Sequence, residues 1–288
     1  MFQPGDCNPS YLELGLSMKK LCFIVVNYEN CNNTVELLHS LINQSNLDCE
    51  YSIELLVVDN SVSDKEKRMV NSAMAAYKIV GVLRPNNNIG YFGGINYGLE
   101  RIDCSKYDYV IIGNNDLTFS SDFSVELIKK RYEEDILVVA PNIITKDGRH
   151  QNPHVISRVS TIRKLVYDIY FYNYYFSRIL LGASTFMKWI VGERKKPADH
   201  SQYIHMGIGA CYILTPSFFK HFKKLDDALF LYGEEAVLAG QVMSVSCKTY
   251  YDSSLVVTHA ESATLSKFPS RFTYSHMKKS YPIYRKYL

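Results

Sequence analysis

Four times in its first 116 residues the chain runs through a short apolar stretch and stops on polar residues. Leu21-Cys-Phe-Ile-Val-Val26 stops on Asn27-Tyr28, and Ile53-Glu-Leu-Leu-Val-Val58 on Asp59-Asn60-Ser61. Ile79 to Leu83 leads to Asn86-Asn-Asn-Ile-Gly90, and Asp108-Tyr-Val-Ile-Ile-Gly113 to Asn114-Asn115-Asp116. Runs of this length, rich in β-branched residues, read as buried strands. Helical patterns separate them. Asn32, Asn33 and Thr34 open one with Val35, Leu37, Leu38, Leu41 and Ile42 at helical spacing; Asp64 to Tyr77 makes a second, and a third passes through Asn96 and Leu99. A helix at 123–134 and a strand from Ile136 to Ala140 continue the alternation. Such alternation predicts a parallel sheet covered on both faces. Ligands of open α/β sheets bind beyond the carboxyl ends of strands, so four polar ends on one edge make a pocket for a polar ligand.

Length and charge narrow the class. At 288 residues the chain is one large domain, or a domain with an extension. Thirty-two basic against 29 acidic residues leave a net charge of +3, too balanced to mark a nucleic-acid binder. The seven cysteines are scattered, with no Cys-x-x-Cys spacing, which predicts reduced thiols and a cytoplasmic setting. Residues 1–17 have no long apolar core and read as a poorly ordered leader, with Met18 as a natural start.

The second half changes character. Residues 155–191 are aromatic and sparsely charged, and Asp168 and Arg178 interrupt the run, which favours an amphipathic or interfacial helix pair over a spanning helix. Glu193 to His200 reads as an exposed loop, Ile208 to Leu214 as a strand, and Pro216 as the first turn of a helix. Phe230-Leu-Tyr-Gly-Glu234-Glu235 runs into another helix, where the dipole favours both carboxylates or where they do acid–base chemistry. Leu255-Val-Val-Thr-His259 is a last strand. Beyond Ser262 there are no acidic residues, and lysines and arginines alternate with aromatics. That composition suits an anionic membrane or a phosphorylated lipid, and equally a solvated, partly helical tail. The stretch Asn88-Ile-Gly90-Tyr-Phe-Gly93-Gly94-Ile-Asn96-Tyr-Gly98 does not fit Gly-x-Gly-x-x-Gly; its glycines admit either a bulky ligand or a closely packed helix.

Taken together, the polar strand ends, the glycine stretch and the acidic pair resemble the inverting family 2 glycosyltransferases, particularly a rhamnosyltransferase-like bacterial branch. The resemblance runs from about Leu21 to about His259. It implies a GT-A fold: an α/β, Rossmann-like, mostly parallel sheet flanked by helices, with a C-terminal helical and aromatic extension on the acceptor side. Within it, 18–150 would be the nucleotide-sugar half, 151–262 the acceptor half and 263–288 a basic-aromatic tail.

The resemblance also implies roles. Asp59 would contact the nucleotide base, with Asn27, Asn88, Gly90 and Asn96 on the donor side. Asn114-Asn115-Asp116 occupies the place of the family's Asp-x-Asp motif. Asn114 and Asn115 would face the donor, and Asp116, helped by His259, would bind Mg²⁺ or Mn²⁺. Glu234-Glu235 matches the family's second acidic motif, with Glu235 as the base that deprotonates the acceptor hydroxyl. The family's first Asp is Asn114 here, its further Asp and Arg are Val237 and Gln241, and Glu235 is one methylene longer than the usual Asp.

The function so implied is sugar transfer, of rhamnose or a hexose, from a nucleoside-diphosphate donor to a lipid-linked or growing surface polysaccharide such as O-antigen or capsule. The enzyme would sit at the inner face of the cell membrane, and a homodimer is compatible with this. A non-catalytic nucleotide-sugar-binding scaffold with the same fold is the alternative. A nucleotidyltransferase is disfavoured, because no basic glycine-rich phosphate loop stands near the start.

Overall fold

The computed structural model describes residues 18–44, 51–191, 199–260 and 269–288, with only the backbone of 183–191. The expected leader, most of the 193–200 loop and the start of the basic tail lie outside the described residues. Four parallel strands build the first half: β1 (Lys19–Asn27), β2 (Tyr51–Asp59), β3 (Val80–Leu83) and β4 (Tyr109–Asn114). Alternate residues of β1 face opposite sides, as strand geometry requires. Leu21, Phe23 and Val25 pack under α1 (Cys31–Ile42) and α2 (Asp64–Met74); Cys22 and Ile24 pack under α3 (Tyr91–Leu99). Asn30 and Ser63 cap α1 and α2 by accepting from the backbone N–H three residues on.

The remaining strands are β5 (Leu117–Phe119), β6 (Ile136–Thr145), β7 (Gln202–Ile204), β8 (Cys211–Leu214) and β9 (Lys248–His259). One sheet holds all nine in the order β3-β2-β1-β4-β8-β6-β9-β5, with β7 also on β9. Strand β8 is antiparallel to both β4 and β6, so β6 and its parallel neighbour β9 point the same way as β4. His259 therefore ends on the same edge as Asn27, Asp59 and Asn114. Only Asn115 and Asp116 separate β4 from β5, yet β5 pairs antiparallel with β9 at the end of the pairing order, which the sheet meets by curling.

Helices α4 (Phe123–Lys129), α5 (Thr161–Tyr172), α6 (Tyr174–Val191), α7 (Pro216–His221), α8 (Glu234–Ser244) and α9 (Arg271–Tyr284) complete the fold. The basic C-terminal segment is not a solvated tail: its described part forms α9, and Tyr274, Tyr281 and Leu288 are buried with Phe171, Met206, Ala236 and Ala239 in a third core. Phe171 and Tyr281 stack at 4.3 Å, and Arg285 grips Asp168 through Nε and Nη2, both at 2.6 Å. The rings of Tyr284 and Tyr287 lie where side chains at Gly233 and Gly240 would be, which seats the C-terminal residues on α8.

Gly94 and Gly98 serve packing: a Cβ on either would stand 2.9 Å or less from Val26 or Ile24 of β1. Cys22, Cys31, Cys104, Cys211 and Cys247, the described cysteines, are free thiols.

Candidate active site

Parallel register sets the first wall of the site. Asn27 stands opposite Asp59, and Val26 opposite Asn114. Asn27, fully buried, donates from Nδ2 to Asp59 Oδ1 at 2.9 Å and to Ser61 Oγ at 3.1 Å. Its Oδ1 accepts from Thr34 Oγ1 at 3.1 Å and from Asn115 Nδ2 at 2.9 Å. Arg84 Nε donates to Asp59 Oδ2 at 2.9 Å. Burial pushes the Asp59 carboxyl up, but hydrogen bonds from Ser61, Asn27 and Arg84 outweigh it and hold the pKa below the usual carboxylate value. Both Asp59 oxygens are thus engaged within the protein. The open flank of this network is Arg84, whose side chain is 28% exposed.

Around the glycine stretch, Asn88 Oδ1 accepts from Gly90 N at 2.9 Å and Asn60 Nδ2 donates to Gly90 O at 2.8 Å. Asn60 Oδ1 is buried with no hydrogen-bond partner. Asn96 is committed elsewhere: it donates to Leu225 O at 2.9 Å and accepts from Leu225 N at 2.9 Å. Gln241 accepts from Asp226 N and donates to Lys224 O, both at 2.9 Å. Together these two amides clamp the segment that leads to the acidic pair.

The Asn-Asn-Asp stretch splits three ways. Asn114 is half-buried at the end of β4, and its N–H donates to Ala210 O at 2.9 Å. The Asn115 amide turns back into the β1 network, also donating to Asn30 O at 2.9 Å and Thr34 Oγ1 at 3.0 Å. Asp116 is set by the β5–β9 ladder, because Leu117 pairs with His259 and Ala260 N donates to Asp116 O at 2.8 Å. Asp116 Oδ1 then lies 3.2 Å from His259 Nε2, buried and joined to it by no hydrogen bond. His259 Nδ1 meets Gln151 Oε1 at 2.8 Å. An amide oxygen only accepts, so Nδ1 carries a proton and Nε2 is the atom turned to Asp116. A carboxylate oxygen and an imidazole nitrogen so placed fit a divalent cation. Among the described residues no group of three or more His, Cys, Asp or Glu side chains forms a cation cage.

The second wall is the N-terminus of α8. Gly233 (φ +100°) turns the chain so that Glu234 points inward, 6% exposed, with Oε1 unpartnered. Burial raises its pKa to about 7, helped by the Glu235 charge and opposed by backbone N–H groups. Burial also raises Glu235, against its own N–H. The Gly209-Ala210 turn joins the two walls. Tyr91 donates its hydroxyl to Gly209 O at 2.9 Å, and a Cβ on Gly209 would stand 3.5 Å from Glu235 Oε2. Burial raises the Tyr91 pKa first, and the negative charge of the Glu234, Asp116 and Glu235 carboxylates adds to it.

Tyr91, Gln151 and the Gly209-Ala210 turn are absent from the sequence-based candidates. Tyr91 lies within the glycine stretch and was legible there; Gln151 is a loop amide with no local signal.

The titration of Glu234 has a measurable consequence. Between its ordinary value of 4.5 and about 7 the folded protein holds a proton that the unfolded chain has released. Folding is therefore penalised as pH rises through that window, by up to ~3 kcal/mol above it. Glu234→Gln is expected to raise the melting temperature at pH 8 and to leave it nearly unchanged at pH 4.5, as thermal melts at the two pH values will read.

Comparison with known proteins places this architecture. The fold is that of the GT-A glycosyltransferases, a mixed α/β sheet flanked by helices. The model of glycosyl transferase family 2 matches residues 22–188, more than half of the chain, and the protein belongs to that family. GalNAc-T7, crystallised with UDP, GalNAc and Mn²⁺, is similar over 92% of this chain and 47% of its own, at 14% identity and a TM-score of 0.59. A 1–349 fragment of S. aureus TarS is similar over 84% of this chain and 60% of its own, at 14% identity and a TM-score of 0.52. A longer S. aureus TarS chain has a TM-score of 0.53, again at 14% identity, with 37% of its length covered. This chain thus spans about half the length of the structures it matches. No curated protein matches it in sequence.

Proposed function

We propose that the protein is an inverting glycosyltransferase that moves a sugar, rhamnose or a hexose, from a nucleoside-diphosphate donor to a hydroxyl of a lipid-linked or growing surface polysaccharide. One observation supports this reading: Asp116 meets His259 at 3.2 Å just after Asn114, whose N–H donates to Ala210 O, and Glu235 Oε2 borders the adjoining Gly209. Inverting transfer needs a carboxylate within hydrogen-bonding reach of the acceptor hydroxyl. Glu235 takes that role; its raised pKa makes it a stronger base than an exposed carboxylate, and the longer side chain reaches from the start of α8. It removes the hydroxyl proton as the oxygen attacks the anomeric carbon from the face opposite the leaving diphosphate. Glu234, protonated below about pH 7, keeps the pair from carrying two buried charges.

Asp116 and His259 would hold Mg²⁺ or Mn²⁺, which neutralises the charge growing on the nucleoside diphosphate. Asn114 faces the sugar or ribose. Asn27, Asn88, Gly90 and Asp59 shape the nucleoside side, and Asn115 and Asn96 support the site from behind. A base reaches Asp59 by way of Arg84, the exposed flank of its network. Gln241, where the family pattern has Arg, clamps the 224–226 segment, a structural use that serves an enzyme and a scaffold alike.

Incubation with UDP-, GDP- and dTDP-sugars and Mn²⁺, measuring nucleoside diphosphate released, tests the proposal; binding without release under every donor would make the protein a scaffold. Asp116→Asn is expected to weaken metal-dependent donor binding about tenfold or more and to leave metal-free binding unchanged, as calorimetric titrations with and without Mn²⁺ will show.

A further inference from the structure

We propose that the outward face of α5, continued by the start of α6 and by the start of α9, is a docking surface for an anionic lipid bilayer. Helix α5 is apolar on the side that faces away from the protein. Ile162, Leu165, Val166, Ile169 and Tyr172 are all exposed, Ile162 at 77% and Tyr172 at 72%. Their spacing places them in one stripe about 120° wide. The opposite side of the same helix buries Phe171 against Tyr281 and Tyr274. The stripe does not stop at the helix end. The rings of Tyr172 and Phe176 lie 6.1 Å apart, which carries it onto exposed Tyr175, Phe176 and Ile179 of α6. Arg271 Nη2 donates to Tyr175 Oη at 2.9 Å and brings Phe272, 74% exposed, to the same border.

Charge selects the occupant. Exposed Arg163 and Arg178 stand on α5 and α6 themselves, Arg271 and Lys278 of α9 reach Tyr175 and the Tyr172 carbonyl, and Lys279 and Lys286 are exposed on the same basic segment. In the sequences of α5, α6 and α9 the single carboxylate is Asp168, already gripped by Arg285. Apolar side chains bordered by cations match the headgroup and acyl boundary of an anionic membrane, and tyrosines suit that boundary. Among the described residues no helix is long and apolar enough to cross a membrane, so the contact lies on the surface. This inference stands apart from the sugar-transfer chemistry and is tested without donor.

The full chain is to be sedimented with phosphatidylcholine vesicles and with vesicles containing about one-third phosphatidylglycerol. Binding to the anionic vesicles alone, weakened by salt, is expected. The double variant I162D/I169D, at exposed positions, should lose at least about tenfold of that binding with an unchanged melting temperature, and R163E/K279E should lose it while keeping the apolar stripe intact. Sedimentation equal in wild type and I162D/I169D would overturn the proposal. So would equal binding to neutral vesicles, no binding to either, or a dimer by light scattering that I162D/I169D dissociates, since a second copy would then cover the face.

Discussion

Glu235→Gln is expected to lower turnover by about 10³-fold while leaving donor affinity within about twofold. The amide keeps the size of the carboxylate and its place at the start of α8, so the donor side, built from β1, β2 and β4, is undisturbed. The amide has no basic oxygen with which to take a proton. Nucleoside diphosphate release measures turnover and calorimetric titration of the donor measures affinity. Turnover within tenfold of wild type would remove Glu235 from the reaction. A parallel loss of donor binding would place it in the donor pocket.

Gly90→Ala is expected to cost about 3 kcal/mol of stability and to reduce activity beyond what the lost stability explains. Gly90 has φ +79° and ψ −173°, a region open essentially to glycine alone. A Cβ there would stand 2.3 Å from the carbonyl oxygen of Phe230, a backbone atom that no rotamer change moves aside. Phe230 also accepts from Tyr91 N at 3.3 Å and lies four residues before Glu234, so relieving the clash displaces the approach to the acidic pair. Gly148, at the same φ with open space where its Cβ would be, is the control; Gly148→Ala should cost only about 1 kcal/mol. Chemical denaturation of both variants separates backbone strain from collision.

Most of the strand framework was legible because each strand of the first half is a local apolar run. The shared edge followed from parallel pairing, which aligns Asn27, Asp59 and Asn114 without further information. What escaped depended on distant partners. Leu117–Phe119 is too short to announce a strand, yet its pairing with β9 is what brings Asp116 to His259. Asn96 sits in a motif that resembles a donor site, and its commitment to Leu225 is decided 129 residues away. The C-terminal segment has the composition of a surface tail; Tyr281 finds Phe171 and Asp168 only in the folded chain. The acidic pair was visible as a motif, whereas the inward turn of Glu234 rests on the left-handed Gly233 and the ring of Tyr284 above it.

The two sides of the candidate site differ in how they are built. Asp116 immediately precedes β5 and His259 ends β9, and the Leu117–His259 pairing with the Ala260 N–H to Asp116 O bond ties the two main chains together. Glu235 begins a helix reached through irregular chain between α7 and α8, tethered at Asn96, Gln241 and Gly90. The second side is therefore the less constrained of the two, because main-chain pairing holds the first and side-chain tethers hold the second. Substitutions at Asn96 or Gln241 would therefore loosen the approach to Glu235 while leaving the pairing of β5 with β9 intact.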